Sequence, residues 1–278
     1  MKIVFHKADL DGQASGAVAF KKFYSEVEYD RDFIPYNYGD EFPFDRIAPD
    51  ETVVMADICL EPFDQMVGLS KRCKLIWIDH HKSAIANYEK SGLRLAGLRK
   101  DGEAACSLSW RYFFPNQPVP LALRYLAEYD VWNHTNPNVL PFQYGMRLEY
   151  TWVNSSVWTD VWISQPQWIS SIIARGEILL KYEKSYSRAY LKAYGFETTF
   201  EGYRAIALNR GMASSMAFGD AINEYDIAIL FTRKLGGYKV GLYTVQDNVD
   251  CSALASKYGG GGHKQAAGFH VEELPFEH

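Results

Sequence analysis

The stretch Lys74 to Ser83, KLIWIDHHKS, ends an apolar run on three residues able to hold a metal. Asp79, His80 and His81 offer one carboxylate and two imidazoles side by side, the donor types that divalent cations take. His6, Asp9 and Asp11 in HKADLDG form a second such group, and Asp57, closing TVVMA, adds a third. Each has a plainer use when taken singly: a capping Asp beside incidental histidines, or an Asp-rich turn relieved by Gly12. Together they are hard to reconcile with chance turns. So many carboxylates repel one another unless cations sit among them, and cation binding is the chemistry the set points to. Asp130, in AEYDVWNH, is a further donor that the sequence alone leaves open between ligand and ordinary acid.

The elements that must position these groups are short strands. Leu75 to Ile78 is unbroken in its hydrophobicity, as are Lys2 to Phe5 after its first residue and Thr52 to Ala56 after its own. That pattern predicts strands buried on both faces of a parallel sheet. All three finish on Asp or His, and ligands of open α/β sheets bind outside the carboxyl ends of the strands. Helical spacing over Ala14 to Tyr24 makes the preceding HxxDxDG segment a strand-to-helix loop. Further helices are expected at Pro62 to Arg72, Glu103 to Phe114 and Pro120 to Glu128, giving an alternating β/α order.

From Val131 to Gly195 the chain changes character, with Pro137, Pro141 and Pro166 among Trp132, Trp152, Trp158, Trp162 and Trp168. Such aromatics can stack nucleotide bases, although they more often fill a core or a subunit interface. Gln167 to Tyr194 reads as a long helix, fit to bridge two domains or to form a homodimer. Beyond Gly195 a second unit begins. Strands are expected at Arg204 to Leu208, Asp226 to Phe231 and Tyr238 to Val245, a helix at Ala213 to Asn223, another at Cys251 to Tyr258, and a last strand near Gly268 to Val271. The predicted class is α/β: a parallel-sheet catalytic domain over residues 1–165, a linking helix over 166–199, and a smaller mixed α/β domain over 200–278.

Composition limits the partners. A formal charge of -5 over 278 residues argues against an extended duplex-binding face, yet is compatible with a short anionic substrate. Cys59, Cys73, Cys106 and Cys251 are scattered without zinc-ribbon spacing and read as buried reduced thiols. No apolar run reaches membrane-spanning length and no signal-peptide pattern precedes the first strand, so a cytoplasmic protein without membrane contact is expected. The run Gly259 to Lys264, GGGGHK, could let backbone N–H groups of Gly260, Gly261 and Gly262 approach a phosphate, with His263 and Lys264 completing the charge. A flexible turn is its plainer reading. Arg210, in LNRGMAS, is a weaker substrate-binding candidate.

With these motifs in place the sequence resembles the DHH phosphoesterase family, RecJ-like and oligoribonuclease-like, whose signature is the triplet found at Asp79-His80-His81. His6, Asp9 and Asp11 resemble its first motif, Asp57 its second and Asp130 its fourth. Gly259 to Lys264 followed by Ala266-Ala267-Gly268 resembles the glycine-rich motif of the DHH-associated domain. The resemblance implies two cations, with His6 and Asp9 on one, Asp11, His80 and Asp130 on the other, and Asp57 between them. Oxygen donors softened by imidazole suit Mn²⁺, with Mg²⁺ or Co²⁺ as alternatives. His81 would stand beside the phosphate and Asp79 would orient its neighbours. The expected activity is exonuclease-like hydrolysis of phosphodiester bonds in short single-stranded oligonucleotides. A nucleoside bisphosphate, a linear dinucleotide or polyphosphate are rival substrates, and a non-catalytic nucleotide-binding scaffold is the rival class.

Overall fold

The structure is a computed structural model and describes residues 1–24 and 31–277. The chain forms two compact units, Met1–Leu180 and Lys181–His278. In the first, β1 (Lys2–His6), β2 (Phe33–Tyr36), β3 (Thr52–Ala56) and β4 (Lys74–Ile78) make a sheet in the order β2-β1-β3-β4. Every pairing is parallel, with Ile3 opposite Phe33 on one side and Val54 on the other, and Val54 opposite Ile76. The order reverses beside β1, so the crevice outside the carboxyl ends of β1 and β3 is the topological switch point where such sheets bind ligands.

Helices cover both faces: α1 (Leu10–Lys22), α2 (Asp64–Arg72), α3 (Lys82–Ser91), α4 (Ala105–Phe113), α5 (Leu121–Asp130), α6 (Val139–Met146) and α7 (Val157–Ile163). The strands are uniformly apolar because each feeds two cores. Ile3, Phe5, Val54 and Ile78 join Leu108, Leu126 and Phe142 in one, while Val4, Val53, Met55 and Trp77 join Met66 and Leu69 in the other. Burying a side chain of this size contributes about 1.5–3 kcal/mol, which is why the two-sided pattern is readable from the sequence.

Four local differences have physical causes. Helix α1 starts at Leu10, four residues before the expected start, because the Asp9 carboxylate accepts the Gly12 N–H at 2.9 Å and caps it. Asp11 therefore lies in the first helical turn and not in a loop. Strand β2 has no counterpart among the expected strands; it is four residues long and carries Pro35, which an edge strand tolerates. In the tryptophan-rich stretch Trp158 is core, and Trp152, Trp162 and Trp168 pack against it. Helix α6 there is buried almost throughout and lacks the exposed polar face that marks a surface helix, and α7 spans only seven residues. Finally, the segment expected as a helix at Ala213 to Asn223 is 3₁₀, Ser215–Glu224, interrupted at Gly219 with φ 52°.

Helix α8 (Pro166–Tyr194) ends in the second unit. That unit has β5 (Phe196–Phe200), β6 (Tyr203–Asn209), β7 (Ile227–Lys234), β8 (Gly237–Tyr243), α9 (Cys251–Ser256), β9 (Gly261–Gly262) and β10 (Ala266–Val271). Its mixed sheet runs β5-β6-β7-β8-β10-β9, and only β6 and β7 pair parallel. One face packs Phe231, Val240 and Phe269 with Leu254; the other packs Leu208 and Leu230 with Phe218 and, from α8, Leu191. Cys59, Cys73, Cys106 and Cys251 are all buried and free, as expected. Among the described residues no helix is long and apolar enough to cross a membrane.

Candidate metal centre

His6 is the last residue of β1, Asp57 follows β3, and Asp79 follows β4, so three neighbouring strands deliver their groups to one edge. Asp9 caps α1, Asp11 lies in its first turn, His81 is at the N-cap of α3, and Asp130 ends α5. Gly12 is required here: a Cβ on it would stand 2.1 Å from the His6 carbonyl oxygen. Only glycine lets α1 approach β1 this closely, with Asp9 beside His6 and Asp11 beside His80. Asp57 has φ 61°, a left-handed conformation that Asp tolerates better than most residues and that turns its carboxylate into the cluster.

The side chains expected as ligands converge. His6 Nδ1 lies 2.8 Å from Asp9 and 3.4 Å from Asp57 Oδ2. His80 Nε2 lies 3.2 Å from Asp57 Oδ1, 3.2 Å from Asp130 and 3.7 Å from Asp11. Two groups, His6-Asp9-Asp57 and Asp11-Asp57-His80, each gather their donor atoms within 4.8 Å, and Asp57 belongs to both. His6 Nδ1 and Asp57 Oδ1 are buried and make no hydrogen bond despite these short separations. Orphaned buried donors and acceptors of this kind are costly unless something else takes them up. The donor set fits divalent cations bound through oxygen and imidazole nitrogen.

The surrounding contacts aim the ligands. The second nitrogen of His6, Nε2, is 3.1 Å from Asn37 Oδ1. With Nε2 donating to that oxygen, Nδ1 is the nitrogen that faces the carboxylates and that a cation would take in place of its proton. Asp11 accepts the backbone N–H groups of Ala105 and Cys106 at 2.9 and 2.8 Å, which ties it to the start of α4. Asp79 is fully buried and accepts from the His80 and His81 backbone N–H groups at 2.7 and 3.0 Å and from the Trp77 indole at 3.2 Å. Its Oδ1 is also 2.7 Å from His81 Nδ1, so that ring nitrogen carries the proton. Asn37 carries no signal in the sequence, because Pro35 interrupts the apolar run of β2, the strand that ends one residue before it.

The electrostatics are those of an anionic cage. Burial opposes the charge on His6, but Asp9 and Asp57 carry its pKa up to about 11. Burial also opposes charge on His80, and Asp57, Asp130 and Asp11 still raise it well above the ordinary imidazole value. His81 is raised against burial by Asp79. Burial, Asp57 and Asp130 lift Asp11 well above the carboxylate range, and burial with Asp57 and Asp9 lifts Asp130 to about 7 against the pull of His80. Burial would lift Asp57 too, yet the adjoining imidazoles of His6 and His80 hold it below that range. Protons gather here in place of positive charge.

The proposed substrate-binding residues lie in the second unit. Gly261 and Gly262 form β9, paired with Gly268 and Ala267. A Cβ on Gly260 would stand 2.1 Å from the Gly268 carbonyl oxygen, and Gly262 has φ 140°, so the run is glycine partly to let two backbones touch. His263 N–H donates to Ala266 O at 2.8 Å and Lys264 O accepts from Cys251 N–H at 2.8 Å, which closes the turn. Arg210 donates to Ser187 and Glu183 at 2.7 and 2.8 Å and stacks beside Tyr186 and Tyr190, joining β6 to α8.

No protein-family model matches the sequence. Over 279 aligned residues the chain is 25% identical to Uncharacterized protein R106 of Acanthamoeba polyphaga mimivirus, covering 94% of this chain and 62% of that protein. It thus spans less than two thirds of the relative's length. Among solved structures it is similar to the DHH domain of a protein described as a member of a ribosomal-protein family. The TM-score is 0.54 at 13% identity, over 97% of this chain and 82% of the other. It is also similar to an exopolyphosphatase-related protein from Bacteroides fragilis, with TM-score 0.52 and 16% identity over 97% and 87% of the two chains. The fold is therefore the one DHH-domain proteins share, as the motif resemblance implied.

Proposed function

We propose that the protein is a metal-dependent phosphoesterase of the DHH family that hydrolyses phosphodiester bonds in short single-stranded oligonucleotides or small phosphorylated nucleotides. The observation that carries this reading is the pair of donor groups sharing Asp57, with His6 Nδ1 and Asp57 Oδ1 buried and making no hydrogen bond. His6 and Asp9 would hold one ion, Asp11, His80 and Asp130 the other, with Asp57 between them. When bound, two Mn²⁺ ions, or Mg²⁺ or Co²⁺ in their place, lower the pKa of a water and offset charge on phosphorus. The protein's own contribution is placement. Asp79 holds His81 with its Nδ1 proton committed and favours its charged form, a donor for a phosphate whose negative charge grows in the transition state. Water oxygen bonds to phosphorus as the ester oxygen leaves and takes a proton.

The test is turnover of bis(p-nitrophenyl) phosphate with added Mn²⁺ against a chelated control, with bound metal counted by mass spectrometry. Metal-dependent release of nitrophenol supports the proposal; bound metal without turnover would leave a non-catalytic binding protein. A labelled panel of dinucleotides, longer oligomers and a nucleoside bisphosphate then orders the substrates.

A further inference from the structure

The loop that follows Asp130 carries the one exposed tryptophan of the five in the tryptophan-rich stretch. Trp158 is buried and Trp152, Trp162 and Trp168 line the core, whereas Trp132 keeps 43% of its surface exposed. Its backbone has φ 61°, an unfavourable conformation for a bulky residue without glycine's freedom. Strain of this kind, about 1–3 kcal/mol, persists where the surroundings impose it and concentrates at functional sites. Here the turn is held by Trp132 N–H donating to Tyr129 O at 3.1 Å and Asn133 N–H donating to Glu128 O at 2.8 Å.

What the strain achieves is an aromatic stack. The Trp132 and His134 rings lie 4.6 Å apart, and His134 stacks on Tyr129 at 5.5 Å with an interplanar angle of 27°. Burial lowers the His134 pKa, so the ring is neutral near pH 7, and its buried Nε2 makes no hydrogen bond. Arg147 donates to the Tyr129 hydroxyl at 3.3 Å and fixes the far end. Tyr129 immediately precedes Asp130, and Trp132 follows it by two residues, a span of at most about 7 Å. The Trp132 indole, two residues from Asp130 in the chain, is the tryptophan of this stretch that the core does not enclose.

We propose that Trp132, backed by His134 and Tyr129, is a stacking platform for a nucleobase of the substrate, placed next to Asp130 at the metal centre. The inference rests on the proposed phosphoesterase reading and narrows it: the favoured substrate carries a base close to the scissile phosphate, and an inorganic phosphate chain would leave the platform unused. Stacking on an aromatic side chain tolerates every base, so the platform selects for the presence of a base and not for its identity.

The experiment compares 5′-phosphorylated diadenylate with its abasic analogue, using the full chain loaded with Mn²⁺ and the Trp132→Ala and Trp132→Phe variants. Trp132→Ala is expected to raise KM for diadenylate about tenfold or more, with kcat within about twofold and the abasic analogue unaffected; Trp132→Phe recovers most of the loss. Equal effects of Trp132→Ala on both substrates, or no effect on either, would overturn the platform. A second readout does not depend on turnover: in chelator, diadenylate should quench the fluorescence of the wild-type chain more than that of Trp132→Phe. If the wild type cleaves neither substrate, the hydrolase reading fails alone and the quenching still decides the platform, its absence counting against it.

Discussion

Asp57 is the residue on which the centre turns, since it faces imidazole nitrogens from both ligand groups across 3.2 and 3.4 Å. Asp57→Ala is expected to cut bound divalent metal from about two ions per chain to one or none and to abolish turnover. Metal analysis of the purified variant checks the first outcome and ester hydrolysis the second. Asp79 acts differently, through His81. His81→Ala should keep its metal content yet slow turnover by roughly 10² or more, and loss of metal instead would make His81 a ligand. Asp79→Asn replaces an acceptor of several N–H groups with one that must present an amide, at a cost of about 1–3 kcal/mol. It should also lower the pKa of His81, because the charge that raises it is gone. Imidazole proton shifts followed against pH would read that change; an unchanged His81 titration would deny Asp79 the orienting role.

At the level of elements, the site exists because glycines let backbones close up. Gly12→Ala puts a methyl group 2.1 Å from the His6 carbonyl oxygen, so α1 must shift away from β1. Overpacking of this kind costs about 1–3 kcal/mol, and here it also displaces Asp9 from His6 and Asp11 from His80. The variant should melt lower and bind Mn²⁺ more weakly; calorimetry and metal titration measure the two effects. The glycine run of β9 is subject to a similar restriction at Gly260, which closes on Gly268. Its phosphate-binding role is a separate matter, tested by His263→Ala. That change should raise KM for oligonucleotides more than for a small aryl ester, and equal effects on both would remove the loop from substrate recognition.

For the whole molecule, folding brings together charges that would separate if they could. Asp130 has its pKa raised from 3.8 to about 7. The folded state therefore keeps a proton that the unfolded chain has lost, and stability falls as pH rises from about 4 to about 7. His6 works in the same direction over a higher window: with its pKa raised from 6.5 to about 11 its full contribution is present below about 6.5 and is lost as pH climbs toward 11. Cations compete for the same positions and must displace these protons. The rise in melting temperature on adding Mn²⁺ should thus be larger at pH 8 than at pH 5.5. Each tenfold gain in affinity adds about 1.4 kcal/mol, or a few degrees. A shift that is the same at both pH values would place the bound metal away from Asp130.

Much of this is legible in the linear chain, because strands buried on both faces must be apolar throughout and must therefore stop visibly. The ends of β1, β3 and β4 announce themselves at His6, Asp57 and Asp79, and the donor types announce cation chemistry. What periodicity cannot convey is any element lacking contrast between faces or length. The edge strand β2 with Pro35 and the almost wholly buried α6 depend on partners distant in sequence, while the early start of α1 rests on its Asp9 cap, which apolar spacing does not mark. The same limit applies to the site. The motif resemblance names six metal-binding candidates and puts Asp57 between the ions, but that Asn37 lies against His6 and that Trp132 alone of the five tryptophans in its stretch stands exposed are settled only by tertiary packing. Proximity between residues dozens of positions apart is a property of how the strands and helices stack, and a one-dimensional pattern carries no measure of it.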